Sequence, residues 1–232
     1  MAHPPSQFTS ISEALSAARL APYQTVAGDD VGAFIRYQFN VMLSEALYPS
    51  LQLLEVLLRN RFEILLTAKH GNLWFANAGF LKIVAGQAEE KQIQDAVGSL
   101  TRRGRGLSSG AVVAELSFGF WTGLLGNRYH GRFWGPGWKT LFPHQNLADP
   151  GVGLTPVFEK TVNAKLREIR FLRNRVFHHE PIWTDARLGA KYQDIRLLIG
   201  WICPEVLRWS DESHMDRFPD VFQRVTGQWK RP

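Results

Sequence analysis

Two apolar stripes of helical period limit what this chain can fold into more than any other feature. Leu51, Leu54, Leu58, Phe62 and Leu65 recur at spacings of three and four, and so do Val162, Leu166, Ile169, Leu172 and Val176. Residues so spaced share one face of an α-helix, since about 3.6 residues complete a turn. Such a face has to be buried against other elements. The expected fold class is therefore all-α. Hydrophobic residues make up 45% of the 232 positions, enough for one sizeable core or two small ones.

Capping and breaking residues divide the chain further. Ser10 and Glu13 have capping-box spacing and open a short helix that Pro22 stops. A second helix is expected over 30–48, with Pro49 breaking or kinking the path. A third covers 50–70 and ends at Gly71. Residues 71–85 read as loop with a short helix, 86–103 as a polar exposed helix, and 108–126 as another helix. The string TRRGRG, 101–106, reads as a flexible basic loop. Residues 127–153 are rich in Gly, Pro and aromatics and read as a long irregular loop, a kind of segment that often carries function. Thr155 caps a helix with Pro156 in its first turn. That helix ends near His178, because Pro181 disfavours helical geometry at Glu180. Thr184 or Asp185 opens a further helix towards Trp209, kinked before Pro204, and a last helix spans 213–226. No repeat, low-complexity tract or linker is visible. Residues 1–25 form an N-terminal arm and 26–232 a single helical domain.

The informative stretch is REIRFLRNRVFHHEPIW, 167–183. Arg173 follows Ile169 by four residues, Leu166 by seven and Val162 by eleven, which places it on the apolar stripe. An arginine there is costly unless it is paired or serves a ligand. Asn174 and His178 are four apart and neighbours on a continuing helix. Arg173 and His178 are five apart, about 140° around an ideal helix. They converge if the helix unwinds near His178 or if a second subunit supplies one of them. These residue types suit RNA cleavage. Histidine can take a proton from the attacking 2′-OH or give one to the leaving 5′-oxygen. Arginine can hold the negative charge of the transition state, and asparagine can orient a phosphate or the histidine. The bland reading is a structural ion pair at Arg173 and a histidine cap on a helix terminus.

Charge points the same way. The net charge is +6 and the pI about 9.7, which favours a polyanionic partner, nucleic acid above all. Cys203 is the only cysteine, so an intramolecular disulfide and a thiolate metal cluster are excluded and a reducing compartment fits. The start MAHPPSQFTS lacks the basic and apolar regions of a signal peptide, and no stretch approaches the ~20 apolar residues of a membrane span. A cytoplasmic protein is expected. No phosphate loop of the GxxxxGK type, zinc spacing or nucleophile triad is present, so neither a metal nor another cofactor is expected.

Arg173, Asn174 and then His178 after three more residues resemble the motif of the HEPN superfamily, an arginine followed by four to six residues and a histidine. The fuller string RNRVFHHEPIW resembles the Abi-like (abortive-infection) branch of that superfamily. So do two upstream blocks, LLEVLLRNRFEILLTAKHGNLWF at 53–75 and AELSFGFWTGLL at 114–125. The resemblance implies a HEPN-like helical bundle, dimeric, with the motifs of two subunits meeting in a cleft. It implies metal-independent endoribonuclease activity of a toxin or phage-defence type, leaving 2′,3′-cyclic phosphate and 5′-OH ends. An antitoxin, protein or RNA, would be a partner. Arg173 and His178 would be the catalytic pair, with Asn174 beside them. A non-catalytic RNA-binding or dimeric scaffold protein is the alternative.

Several further residues are candidates for supporting roles. His179 can replace His178 as the acting group, though the motif spacing favours His178. Glu55 lies within the angular range of the first stripe, so its carboxylate needs a cation: either Arg59 on the same helix or Arg173 across the core. Asn60 belongs to the same block. For RNA contact, Arg102, Arg103 and Arg105 of the TRRGRG loop offer charge. Arg132 and Trp134, within RYHGRFWGPGWK, combine charge with a stacking surface.

Overall fold

The computed structural model describes residues 5–25, 29–145 and 156–228. Every regular element among them is helical. In chain order these are α1 (Pro5–Leu15), α2 (Ala17–Leu20), α3 (Asp30–His70), α4 (Ala78–Val84), α5 (Ala88–Arg102), α6 (Ser109–Glu115) and α7 (Phe118–Gly123). There follow α8 (Gly135–Leu141), α9 (Pro156–Phe177), α10 (Leu188–Ile202), α11 (Pro204–Glu212) and α12 (Phe218–Gln228).

Both apolar stripes are buried. Leu54, Leu58, Phe62, Val162, Leu166 and Ile169 are fully enclosed, and Leu51, Leu65, Leu172 and Val176 nearly so. They belong to one continuous core in which α3 packs against α7, α8, α9, α10 and α12. The segment expected as an arm packs onto α3 at its end. Tyr23 is buried, its carbonyl accepts from Arg36 Nε, and its ring stacks with that of Trp183.

Several expected boundaries are corrected. Ser10 lies inside α1 and not at its start; the helix breaks at Ser16 (φ 69°), whose side chain caps α2. Pro49 does not end a helix: α3 runs through it for 41 residues. A proline there removes the hydrogen bond to the Glu45 carbonyl, at a cost of about 3 kcal/mol. Burial of Leu47, Ser50, Leu51 and Leu54 around it offsets that loss. By length and composition α3 is also apolar enough to cross a membrane, contrary to the expectation for this chain. In this fold its leucines lie in the core.

The single helix expected over 108–126 is two, because Leu116 is extended and Ser117 accepts from Phe120 N–H to start α7. Gly119 sits in the first turn of α7. The irregular loop expected from residue 127 is helical over 127–141. Tyr129, Phe133, Trp138, Leu141 and Phe142 are buried, and their burial folds the chain into short turns and α8. Gly137 makes this docking possible, since a Cβ there would lie 2.7 Å from Leu65 Cδ2. The expected Thr155 cap lies outside the described residues. Beyond α9 the chain starts α10 at Leu188, breaks at the extended Cys203 where only a kink was expected, and ends in α12.

Candidate functional site

The C-terminal end of α9 meets the middle of α3. There Arg173 Nε donates to Glu55 Oε2 at 3.2 Å, with the two side chains 23% and 18% exposed. The guanidinium carbon also sits 4.1 Å from the centre of the Phe177 ring, a cation–π contact. Nε is therefore committed, while the Nη groups make no hydrogen bond among the described residues. Ideal helix angles place Arg173 on the stripe; the structure places it at the stripe's border, between buried Leu172 and exposed Asn174.

Of the two partners open to Glu55, the structure brings it to Arg173. Arg59 forms no ion pair with it, and Arg59 Nε is buried without a hydrogen-bond partner among the described residues. Asn60 is exposed. Neither Arg59 nor Asn60 is bonded to Arg173 or His178 among the described residues.

Asn174 and His178 are exposed. His178 N–H donates to the Asn174 carbonyl at 2.8 Å, so helical phase persists to His178. Arg173 and His178 thus leave the axis about 140° apart. Unwinding comes one residue later than convergence within one chain needs. His179 takes φ 58°. Its N–H donates to the Val176 carbonyl, and Glu180 N–H donates to the Arg175 carbonyl at 2.8 Å. This is a left-handed helix closure that usually uses glycine. It turns His179 away from His178 and into a cleft on the side of α3.

One residue that the sequence reading missed holds this turn in place. Asn40 of α3 is 3% exposed. Its Oδ1 accepts from the N–H of Ile182 at 2.6 Å and of Trp183 at 3.2 Å, and its Nδ2 donates to the Glu180 carbonyl at 3.4 Å. Pro181 has no N–H to offer, so this one amide satisfies most of the polar backbone after α9. The signal was available: position 40 is in helical phase with Leu43, Leu47, Leu51 and Leu54, so a polar residue there has to be buried.

The basic candidates lie elsewhere. Residues 101–106 are not a free loop. Arg102 ends α5, Gly104 adopts φ 64°, and Arg105 N–H closes the helix on the Leu100 carbonyl. Arg103 pairs with Glu115 at 2.6 Å and holds that carboxyl below its usual range. Arg102 and Arg105 remain exposed. The Arg132 side chain is also exposed, and its carbonyl accepts from Lys69 Nζ at 2.7 Å. The Trp134 side chain lies outside the described set. Among the described residues, no cluster of three or more His, Cys, Asp or Glu has the arrangement of a metal site. No protein-family model, curated protein or solved structure matches the chain.

Proposed function

We propose that this chain is a HEPN-like, Abi-like endoribonuclease that cleaves RNA without a metal ion. One observation carries the reading. A guanidinium with free Nη groups is fixed by Glu55 and Phe177 at the helix end that also exposes Asn174 and His178. In this mechanism the Arg173 Nη groups stabilise the negative charge that develops on the phosphoryl oxygens. His178 moves the proton of the attacking 2′-OH or of the leaving 5′-oxygen. Asn174 orients the phosphate, and the products carry 2′,3′-cyclic phosphate and 5′-OH ends. Since Arg173 and His178 diverge within one chain, the working site combines Arg173 of one copy with His178 of a second, in a homodimer. The setting is cytoplasmic, with a protein or RNA antitoxin as regulator. The net charge of +6 fits an RNA partner.

The test is cleavage of total RNA in EDTA by the wild type, His178→Ala and Arg173→Ala. Cleavage that falls about 100-fold or more in His178→Ala supports the reading. Intact RNA under every protein, with binding retained, overturns it. The divergence of Arg173 and His178 also favours a second reading, a non-catalytic RNA-binding or scaffold protein using the same basic surface. That second outcome would select it.

A further inference from the structure

Beside the end of α9 lies a cleft of about 640 Å³, open to solvent and backed by α3. Tyr37, Ser44 and Tyr48 line it from one face of α3, at spacings of seven and four. His179 lines it as well. Ser44 Oγ is buried with no hydrogen-bond partner among the described residues. Arg19 adds a cation that has no carboxylate partner among them. At the rim Arg217 pairs with Glu45 at 2.7 Å, both largely exposed.

We propose that this cleft binds one unpaired nucleobase of an RNA strand whose adjoining phosphate lies at Arg173. The inference rests on the ribonuclease reading and adds a base subsite to it. Aromatic walls suit a planar ring, because base–aromatic stacking is the usual way proteins hold splayed single-stranded bases. The orphan Ser44 hydroxyl can donate to or accept from a heteroatom on the base edge. Such a partner removes the cost of leaving that hydroxyl buried and unpaired. Arg19 is placed to take a flanking phosphate.

Contact geometry ties the cleft to the candidate site. The Tyr48 ring packs 5.5 Å from the Phe177 ring, and Phe177 carries the Arg173 guanidinium at 4.1 Å. Tyr48, which lines the cleft, and Arg173 thus both pack on the Phe177 ring. His179 contributes in a second way. A glycine would adopt its left-handed backbone at lower cost, yet this position puts an imidazole into the cleft.

The test measures binding of fluorescein-labelled 2′-O-methyl RNA of about ten nucleotides, which cannot be cleaved because its 2′-oxygen is blocked. An abasic ribose–phosphate strand of equal charge is compared with it at about 0.15 M salt. The wild type should bind the base-bearing strand about tenfold more tightly, the lower end of what one stacked base contributes. Tyr48→Ala should reduce that ratio to near one and leave abasic affinity unchanged, while Tyr48→Phe should keep it. Tyr48 is 46% exposed, so neither change endangers the fold. A wild-type ratio near one, or a ratio that Tyr48→Ala leaves intact, overturns the proposal. Base-dependent binding through Tyr48 with no cleavage of unmodified RNA would overturn the ribonuclease reading alone.

Discussion

Arg173 and Glu55 lie 118 positions apart in the chain and meet at 3.2 Å, joining α9 to α3. Both side chains are partly exposed, so solvent screens their attraction and the pair contributes about 1 kcal/mol. A double-mutant cycle with Glu55→Ala and Arg173→Ala, read by urea denaturation, should show coupling of that size. Zero coupling would mean that the two groups do not position one another. Glu55→Ala should also lower RNA cleavage, because it frees the guanidinium that the site needs fixed.

Asn40 is the more fragile element. Truncation to Ala would strip acceptors from the Ile182 and Trp183 N–H groups in a buried setting. The expected loss is about 2–3 kcal/mol, the penalty for buried donors left unsatisfied. Chemical denaturation measures it, and a loss below about 0.5 kcal/mol would show that water replaces the amide there.

His179→Gly should act in the opposite direction on stability. With φ at 58°, a non-glycine residue pays about 1 kcal/mol of backbone strain. Relief of most of that should appear as a raised urea midpoint. The same change removes an imidazole from the cleft, so base-dependent RNA binding should weaken while the fold grows more stable. A variant no more stable than the wild type would show that cleft contacts of the imidazole already offset the strain.

His70 should make stability depend on pH. Burial, and then the neighbouring Lys69 charge, push its pKa below 6.5. Its Nε2 is buried without a hydrogen-bond partner among the described residues, and its ring lies 5.5 Å from that of Phe80. The folded state therefore keeps the ring neutral over a range in which the unfolded chain takes up a proton. That contribution to stability is complete above about pH 6.5 and is lost as pH falls towards the lower folded pKa. Denaturation midpoints measured from pH 7.5 to 5 should drop in the wild type and flatten in His70→Leu. Equal slopes in the two proteins would assign the pH dependence to other groups.

Periodic apolar residues were the legible part of this chain. The α3 and α9 stripes were readable because burial of one helical face imposes spacing that survives without coordinates. The stop after Phe177 was readable for a similar reason, since Pro181 restricts its own neighbour. Pro49 misled because its cost is local, whereas the packing that carries α3 through it is supplied by residues far along the chain. The aromatic stretch after residue 127 misled because Gly and Pro signal a turn without telling whether neighbouring rings will dock. Gly137 against Leu65 is a contact that no local pattern encodes.

The sequence by itself determined the helical class, the two buried faces, the positive charge and the clustering of Arg173, Asn174 and His178 at one helix end. All of these follow from residue types and short spacings. Tertiary structure alone decided that Glu55 meets Arg173 and not Arg59, that Asn40 anchors the turn after α9, and that His179 and not His178 faces the cleft of Tyr37 and Tyr48. Each of those outcomes depends on how α3 and α9 lie against each other, and contacts between distant segments are set by the packing of the whole core.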